Sequence, residues 1–408
     1  MSEIELRPIG EDEVLPFATS FGASFGWEAE EPEMDFWHWL QGLGRTLAAI
    51  DDGHIVATAG LIPFELTVPG GGQVPAGGVT AVSVLPTHRR RGILRNIMRR
   101  QVEDMREQSE PVGILWASES VIYGRFGYGL ATNQAELKIR RAHAAFARAP
   151  AASGSIRLVE GEEASTALPA MYDRFRRKVP GQINRESGWW EQYLADHPQR
   201  RRGASRRYYV LYENGEAEGY AAYRLKPEWP GGIPSSTAHV AELITASPEA
   251  YAALWRYLLD LDLVDTVTMG NRPLEEPLRW MLADPRRLRF DDVGDAIWLR
   301  VNDIPAALEC RRYMVEGALS LRIADPFCPE NDGTYRLEGA PDGASCRRAD
   351  DDADLAMDVA DLGAVYLGGT PLGVLAAAGR VQELRDGAVR LAEAMFASDV
   401  PPWCTHHF

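Results

Sequence analysis

The chain has 408 residues, of which 45% are hydrophobic and 25% charged, and its formal net charge is −16. That length holds two or three domains, and the composition is that of a globular protein rather than a disordered or fibrous one. The acidic balance excludes a binder of nucleic-acid backbones, which needs a basic field, and no apolar run reaches the about 18 residues of a membrane span. The opening Met1-Ser2-Glu3-Ile4-Glu5 has neither the basic region nor the apolar core of a secretory signal, so the cytoplasm is the expected compartment. Cys310, Cys328, Cys346 and Cys404 form no Cys-x-x-Cys pair and fit no zinc spacing, so buried free thiols and no metal are expected. The His406-His407 pair reads as a solvated tail rather than a metal site.

Residues 3–145 alternate helix-like and strand-like segments. Helices are expected over 11–25 and 32–43, and strands over 45–51, 54–66 and 77–85. A helix follows from about 92 to 109, then a strand at 112–117 and a short helix from 121 to 126. A strand at 133–140 is expected to close this unit. The order is α+β around a mixed sheet.

Residues 141–155, rich in Ala, Arg and Pro, read as a connection. Strands or extended segments are then expected at 156–159, 207–212, 219–225 and 239–245, and helices at 164–176, 187–196 and 248–261. Asn214-Gly215 between two alternating runs is a hairpin signal. The strand, turn and helix over 239–261 imitate those over 79–105. The turn Ala246-Ser247-Pro248-Glu249 has neither arginine nor glycine, so a second, degenerate copy of the first fold is expected. In the last part, a short helix at 304–311, strands at 317–324, 333–338 and from 346, apolar stripes at 354–366 and 370–378, and an amphipathic helix over 381–396 are expected. The division is then 1–145, 146–300 and 301–408.

The richest segment runs from Val79 to Val102. An apolar, β-branched run stops at Pro86, a turn carrying Arg89, Arg90, Arg91 and Gly92 follows, and Ile93, Leu94, Ile97, Met98 and Val102 recur at helical spacing. A helix N-terminus presents unpaired N–H groups and a partial positive charge, which suits an anion such as a pyrophosphate. Gly92 lets the anion approach the backbone, and Arg95 adds charge. No Gly-Lys-Ser/Thr follows, so this is not a P-loop, and Gly-x-Gly-x-x-Gly is absent.

Arg89-Arg90-Arg91-Gly92-Ile93-Leu94 resembles the acetyl-CoA pyrophosphate loop of GNAT N-acetyltransferases. Leu94 departs from the general pattern as the bacterial Eis (enhanced intracellular survival) family does. Trp116-Ala117-Ser118-Glu119 with Ile122-Tyr123-Gly124-Arg125-Phe126-Gly127-Tyr128-Gly129 resembles that family's second motif. Phe396-Ala397-Ser398-Asp399-Val400-Pro401 resembles its C-terminal signature, and Phe408 its terminal aromatic residue. The resemblance spans nearly the whole chain. It implies tandem GNAT folds, the second degenerate, a C-terminal domain like sterol carrier protein, a hexamer, and acetyl transfer to amines of aminoglycosides or other polycations.

Transfer from a thioester to an amine needs a held acyl carrier, a polarised carbonyl, a neutral amine and a proton for the departing thiolate. By the resemblance, Val82, Ser83 and Val84 hold the pantetheine arm. Arg90, Arg91, Gly92, Ile93, Leu94 and Arg95 hold the phosphates, and Ser118 and Glu119 contact the acetyl-CoA. Tyr123 matches the general acid, since a phenol with pKa near 10 stays protonated at neutral pH. Tyr128 is its local competitor, and core packing is open to either ring. The C-terminal carboxylate, here that of Phe408, would take the amine proton. Trp27, Glu28, Glu30, Glu31, Glu33, Asp35, Trp37 and Trp39 supply the aromatic faces and carboxylates that a polyamine needs, or else a solvated face over a tryptophan core. His407 stands where the family often has an acid, and Ala81 where it has a bulkier aromatic residue. Lysine acetylation of proteins or peptides, and acyl-CoA or lipid binding without turnover, are the two other readings of these residues.

Overall fold

The computed structural model describes residues 4–28, 31–149 and 153–408. The chain forms two compact units. The first comprises Met1–Thr132, Ile297–Val400 and His407–Phe408, and the second Asn133–Ala296 and Pro401–His406.

The first unit is built on a seven-stranded sheet in the order Glu5–Arg7, Thr46–Asp51, His54–Thr67, Gln73–Val84, Val112–Trp116, Ile297–Val301, Gly129–Leu130. The strands Gln73–Val84 and Val112–Trp116 are parallel and joined by the helix Ile93–Glu107. That helix buries Ile97, Met98, Gln101, Val102 and Met105, spaced by three and four residues, which places one face on the sheet. Gln101, the polar member, is anchored in the core by donating to Gly60 O at 3.0 Å. Helix Val14–Phe25 lies against the strands His54–Thr67 and Gln73–Val84.

Residues 317–383 of this unit add a five-stranded sheet, Gly343–Ala349, Gly333–Ala340, Gly317–Ala324, Leu355–Asp358, Gln382–Glu383. Its helix Val359–Val365 is buried at every position and packs on the strands Ile297–Val301 and Gly129–Leu130. The helix expected over 381–396 begins only at Ala388. Gln382 and Glu383 pair with Ala356 and Leu355 as a strand, and Gly387 at φ +82° marks the break. Arg311 is fully buried here. Its guanidinium donates to Tyr366 O at 2.5 Å and Phe396 O at 2.9 Å and lies 4.7 Å from the Phe396 ring centre. It thus binds carbonyls left over at the ends of the helices Val359–Val365 and Ala388–Phe396.

The second unit has its own seven-stranded sheet, in the order Arg289–Asp295, Asn133–Arg140, Val264–Arg272, Ser236–Thr245, Glu216–Lys226, Tyr208–Asn214, Ser155–Val159. The hairpin stands where Asn214-Gly215 foretold it, with Asn214 facing Glu216. The helix Pro248–Asp260 is the counterpart of Ile93–Glu107. Ser247 caps it by accepting from Ala250 N, and Glu249 sits in its first turn, so this terminus repels an anion. The segment Pro401–His406 belongs to this unit: Trp403 N donates to Pro180 O at 3.0 Å and Gln182 Nε2 to Trp403 O at 2.9 Å.

Strand Asn133–Arg140 does not close the first sheet as expected. It pairs on both sides within the second, with Val264–Arg272 and Arg289–Asp295, burying Ala135, Leu137 and Ile139. The place in the first sheet goes to Ile297–Val301, which pairs with Val112–Trp116 and Gly129–Leu130. Alternation reveals a strand but not its neighbours. Among the described residues no helix is long and apolar enough to cross a membrane.

Replacing Arg311 by Met should leave buried carbonyls unpaired and cost about 3 kcal/mol of stability, read as a lower denaturant midpoint at unchanged slope.

Candidate active site

The strands Gln73–Val84 and Val112–Trp116 pair from Ala76 with Val112 to Val79 with Leu115, and no further. Just beyond, Thr58 faces Ser83 while Gly60 faces Thr80, so Ala81 and Val82 together oppose one residue, Ala59. This is a β-bulge, and Ala81 takes φ +52° within it. Thr58 Oγ1 fixes the bulge by donating to Ala81 O at 2.7 Å, and it meets Ser83 Oγ at 2.8 Å. Leu85 N donates to Val56 O, so by alternation the peptide groups of Val84 and Val82 point the other way, into the gap left by Val112–Trp116.

The arginine turn stands at the same end. Arg90 has φ +65° and Gly92 φ +82°. A Cβ at Gly92 would meet nothing within 4 Å, so backbone conformation rather than space favours glycine there. Gly92 begins the helix Ile93–Glu107 with no side-chain cap and no acid in the first turn. Its first amides therefore keep their hydrogen-bonding capacity for an anion.

The basic residues divide into two kinds. Arg91 turns away, pairing with Asp51 at 3.1 Å, and His88 joins the same carboxylate at 3.1 Å. Arg89 Nε reaches Val84 O at 3.3 Å. These contacts brace the turn. Arg90 and Arg95 line a cavity of about 620 Å³, whose wall His88 and Arg89 share and Arg91 does not.

That cavity brings together Val82, Ser83, Val84, Arg90, Gly92, Ile93, Leu94, Arg95, Ser118, Glu119 and Tyr123. Of the expected acyl-carrier residues, Arg91 is not in its wall, because Asp51 holds it. Ser24, Phe25, His88, Arg89, Ile122, Arg125 and Phe126 complete the wall. Arg125 and Phe126 stood inside a quoted motif with no role given; Ser24 and Phe25 carried no signal beyond a helix end.

Tyr123 is 5% exposed and lines the cavity from the short helix Ser120–Tyr123. Burial, and then the charge of Glu119, push its pKa up to about 12. Tyr128 is fully buried, lies edge-on to Tyr123 at 6.1 Å between ring centres, and is not in the cavity wall. Its hydroxyl is also pushed up by burial. Geometry therefore separates two tyrosines that spacing could not.

Phe408 and His407 lie outside the cavity wall. The Phe408 ring packs 4.9 Å from that of Phe64, and the His407 ring 4.8 Å from that of Trp116, at the end of the strand leading to Ser118. Trp37 is 5% exposed in an aromatic cluster with Phe17, Phe21, Trp27 and Phe36, so it packs the interior rather than facing a ligand. Trp27 stacks on it at 6.2 Å, Trp39 is half-buried, and Glu28 and Asp35 are exposed. None of these residues lines the cavity. Glu30 and the side chains of Glu31 and Glu33 lie outside the described residues.

A bulged strand splayed from its parallel neighbour, with an uncapped arginine-flanked helix at the opening, defines an acetyltransferase of the GNAT class. Comparison with known proteins agrees. Residues 5–131 and 181–301 each match the acetyltransferase (GNAT) domain family, and residues 304–405 match the sterol carrier protein domain. An N-acetyltransferase of Streptomyces avermitilis is 40% identical over 99% of both chains. The N-acetyltransferase Eis of Mycobacterium tuberculosis is 36% identical, covering 85% of this chain and 84% of that one. The solved structure of Eis1 from Mycobacterium abscessus superposes with a TM-score of 0.87 at 35% identity, over 99% of this chain and 100% of that one. The chain belongs to the Eis-like family of N-acetyltransferases: two GNAT domains, the second without the phosphate turn, and a domain like sterol carrier protein.

Gly92→Ala should force the turn out of its left-handed conformation at a cost of about 1–2 kcal/mol, and calorimetry should show CoA binding weakened by about tenfold.

Proposed function

We propose that the protein transfers the acetyl group of acetyl-CoA to primary amines of small polycations, aminoglycosides being the class to test first. The observation that carries this reading is one cavity holding an open strand edge, an uncapped helix N-terminus and a buried tyrosine. Val82 and Val84 offer peptide groups to a pantetheine-like arm, and the amides of Ile93, Leu94 and Arg95, with the Arg90 and Arg95 guanidinium groups, offer donors to its phosphates. When bound, acetyl-CoA supplies a thioester carbonyl that an amine can attack.

Tyr123 Oη keeps its proton throughout the neutral range and holds it ready for the departing thiolate. The Phe408 carboxylate receives the amine proton in this reading, with its ring seated on Phe64. The net charge of −16 favours encounter with a cation. Family membership supports a hexamer, which the mass in solution from light scattering would test.

Tyr123→Phe should lower kcat by about 100-fold in a thiol-release assay with little change in CoA affinity, and full activity would remove Tyr123 from the reaction. The sign of its shift sets the pH profile. A phenol raised to about 12 loses its proton only near that pH, so kcat should show no tyrosine-dependent fall between about pH 7 and 10. Extending the chain a few residues past Phe408 moves the carboxylate and should abolish turnover of aminoglycosides. Undiminished turnover would take Phe408 out of the mechanism. Lysine peptides in the same assay at equal concentration decide between a small polycation and a protein side chain as the preferred amine.

A further inference from the structure

The turn that follows Tyr123 rests on a fully buried ion pair. Arg300, on the strand Ile297–Val301, donates through Nη1 to Phe126 O at 2.6 Å and through Nη2 to Asp325 Oδ2 at 2.5 Å. Both side chains are 0% exposed. Asp325 follows the strand Gly317–Ala324 and is itself held: its carboxylate accepts from Cys328 N at 2.9 Å and Asn331 Nδ2 at 3.3 Å. Phe126 and Tyr123 belong to one turn and line one cavity. A hydrogen bond from Tyr128 N to Tyr123 O at 3.3 Å closes that turn, and Gly127 within it has φ +82°. A Cβ on Gly127 would fall 1.8 Å from Arg300 Nη1, so the turn is seated directly on the guanidinium.

The loop after Asp325 reaches the other wall of the cavity. The Phe327 ring packs edge-on to Phe126 at 5.1 Å and lies beneath Arg95 at 5.3 Å and Arg99 at 4.9 Å. Arg99 also donates to Phe327 O. One loop of the sterol-carrier-like part therefore touches both the turn that bears Tyr123 and the helix that opens on the phosphate turn.

We propose that Arg300 and Asp325 are positioning residues for acetyl transfer: the pair fixes the Tyr123–Gly127 turn so that the phenol is aimed into the cavity. The sterol-carrier-like domain then contributes a residue to the support of the acyl-transfer site. A buried pair costs desolvation that a hydrophobic pair would avoid, and it yields fixed geometry at Phe126 O in return. A general acid displaced by a fraction of its hydrogen-bond length transfers its proton poorly, so loss of the pair should act on turnover more than on binding.

The inference rests on Tyr123 being the general acid, and the experiment separates the two. Asp325→Asn keeps the shape and a hydrogen-bond acceptor but removes the charge, and Arg300→Lys keeps the charge but loses the two-pronged geometry. Each is made in the full chain, alone and with Tyr123→Phe, and only variants with native circular dichroism and a cooperative melt are assayed. Asp325→Asn and Arg300→Lys are expected to lower kcat by about tenfold or more while KM for acetyl-CoA moves less than about threefold. In the Tyr123→Phe background they should cost almost nothing further, because the group they position is gone. If they lower kcat by the same factor with and without the Tyr123 hydroxyl, or leave kcat unchanged in folded protein, the pair is structural only and the inference is overturned. If Tyr123→Phe itself is fully active, the general-acid assignment fails first, and this inference fails with it.

Discussion

Two parallel strands that stop pairing too early are what everything else at the site depends on. A parallel pair normally exhausts the hydrogen-bonding capacity of both facing edges. Here the pairing ends at Val79 with Leu115, and the bulge at Ala81 and Val82 bends the rest of the strand away. The peptide groups beyond are left where water or a ligand must satisfy them. A left-handed alanine is an uncommon conformation, and the Thr58 hydroxyl on its carbonyl is the local compensation. The gap, the exposed edge and the entry to the helix all follow from that one departure from regular pairing.

Charge is arranged on the same plan. Of the arginines in the turn, Arg91 pairs with Asp51 outside the cavity wall, while Arg89, tied to Val84 O, and Arg90 both line the cavity. The braced side chains hold the backbone in conformations that a free loop would leave. In the second unit the equivalent helix is capped by Ser247 and carries Glu249, so the same strand-turn-helix frame there has no pull on an anion. At the phosphate turn, the two GNAT copies share the strand-turn-helix frame and differ in which side chains stand at the helix terminus.

Much of this was readable in the sequence. The stop at Pro86, the turn with Gly92 and the apolar recurrence from Ile93 foretold the cradle, because local periodicity and backbone chemistry decide those features. The aromatic and acidic run from Trp27 to Trp39 left a polyamine face and a tryptophan core both open, because a tryptophan at helical spacing serves either, and Trp37 is in the core. That Arg91 pairs with Asp51 could not be read from the turn itself, because that partner comes from a different strand. Arg300 and Asp325 gave no signal at all. A buried ion pair assembled across distant segments leaves no pattern in the order of residues.

The first sheet is finished by a strand that arrives very late. Thr132 leaves the first unit and Ile297 re-enters it 165 positions later with the strand that covers Val112–Trp116. At ribosomal speeds of about 5–20 residues per second, the nascent chain waits roughly 8–33 s with that edge uncovered. An uncovered hydrophobic edge is an invitation to pair with a neighbouring chain. The intervening unit builds its own sheet without a strand from the first. The first sheet is therefore completed only after the whole of the intervening stretch has been synthesised, so its edge at Val112–Trp116 is the last part of that sheet to be covered.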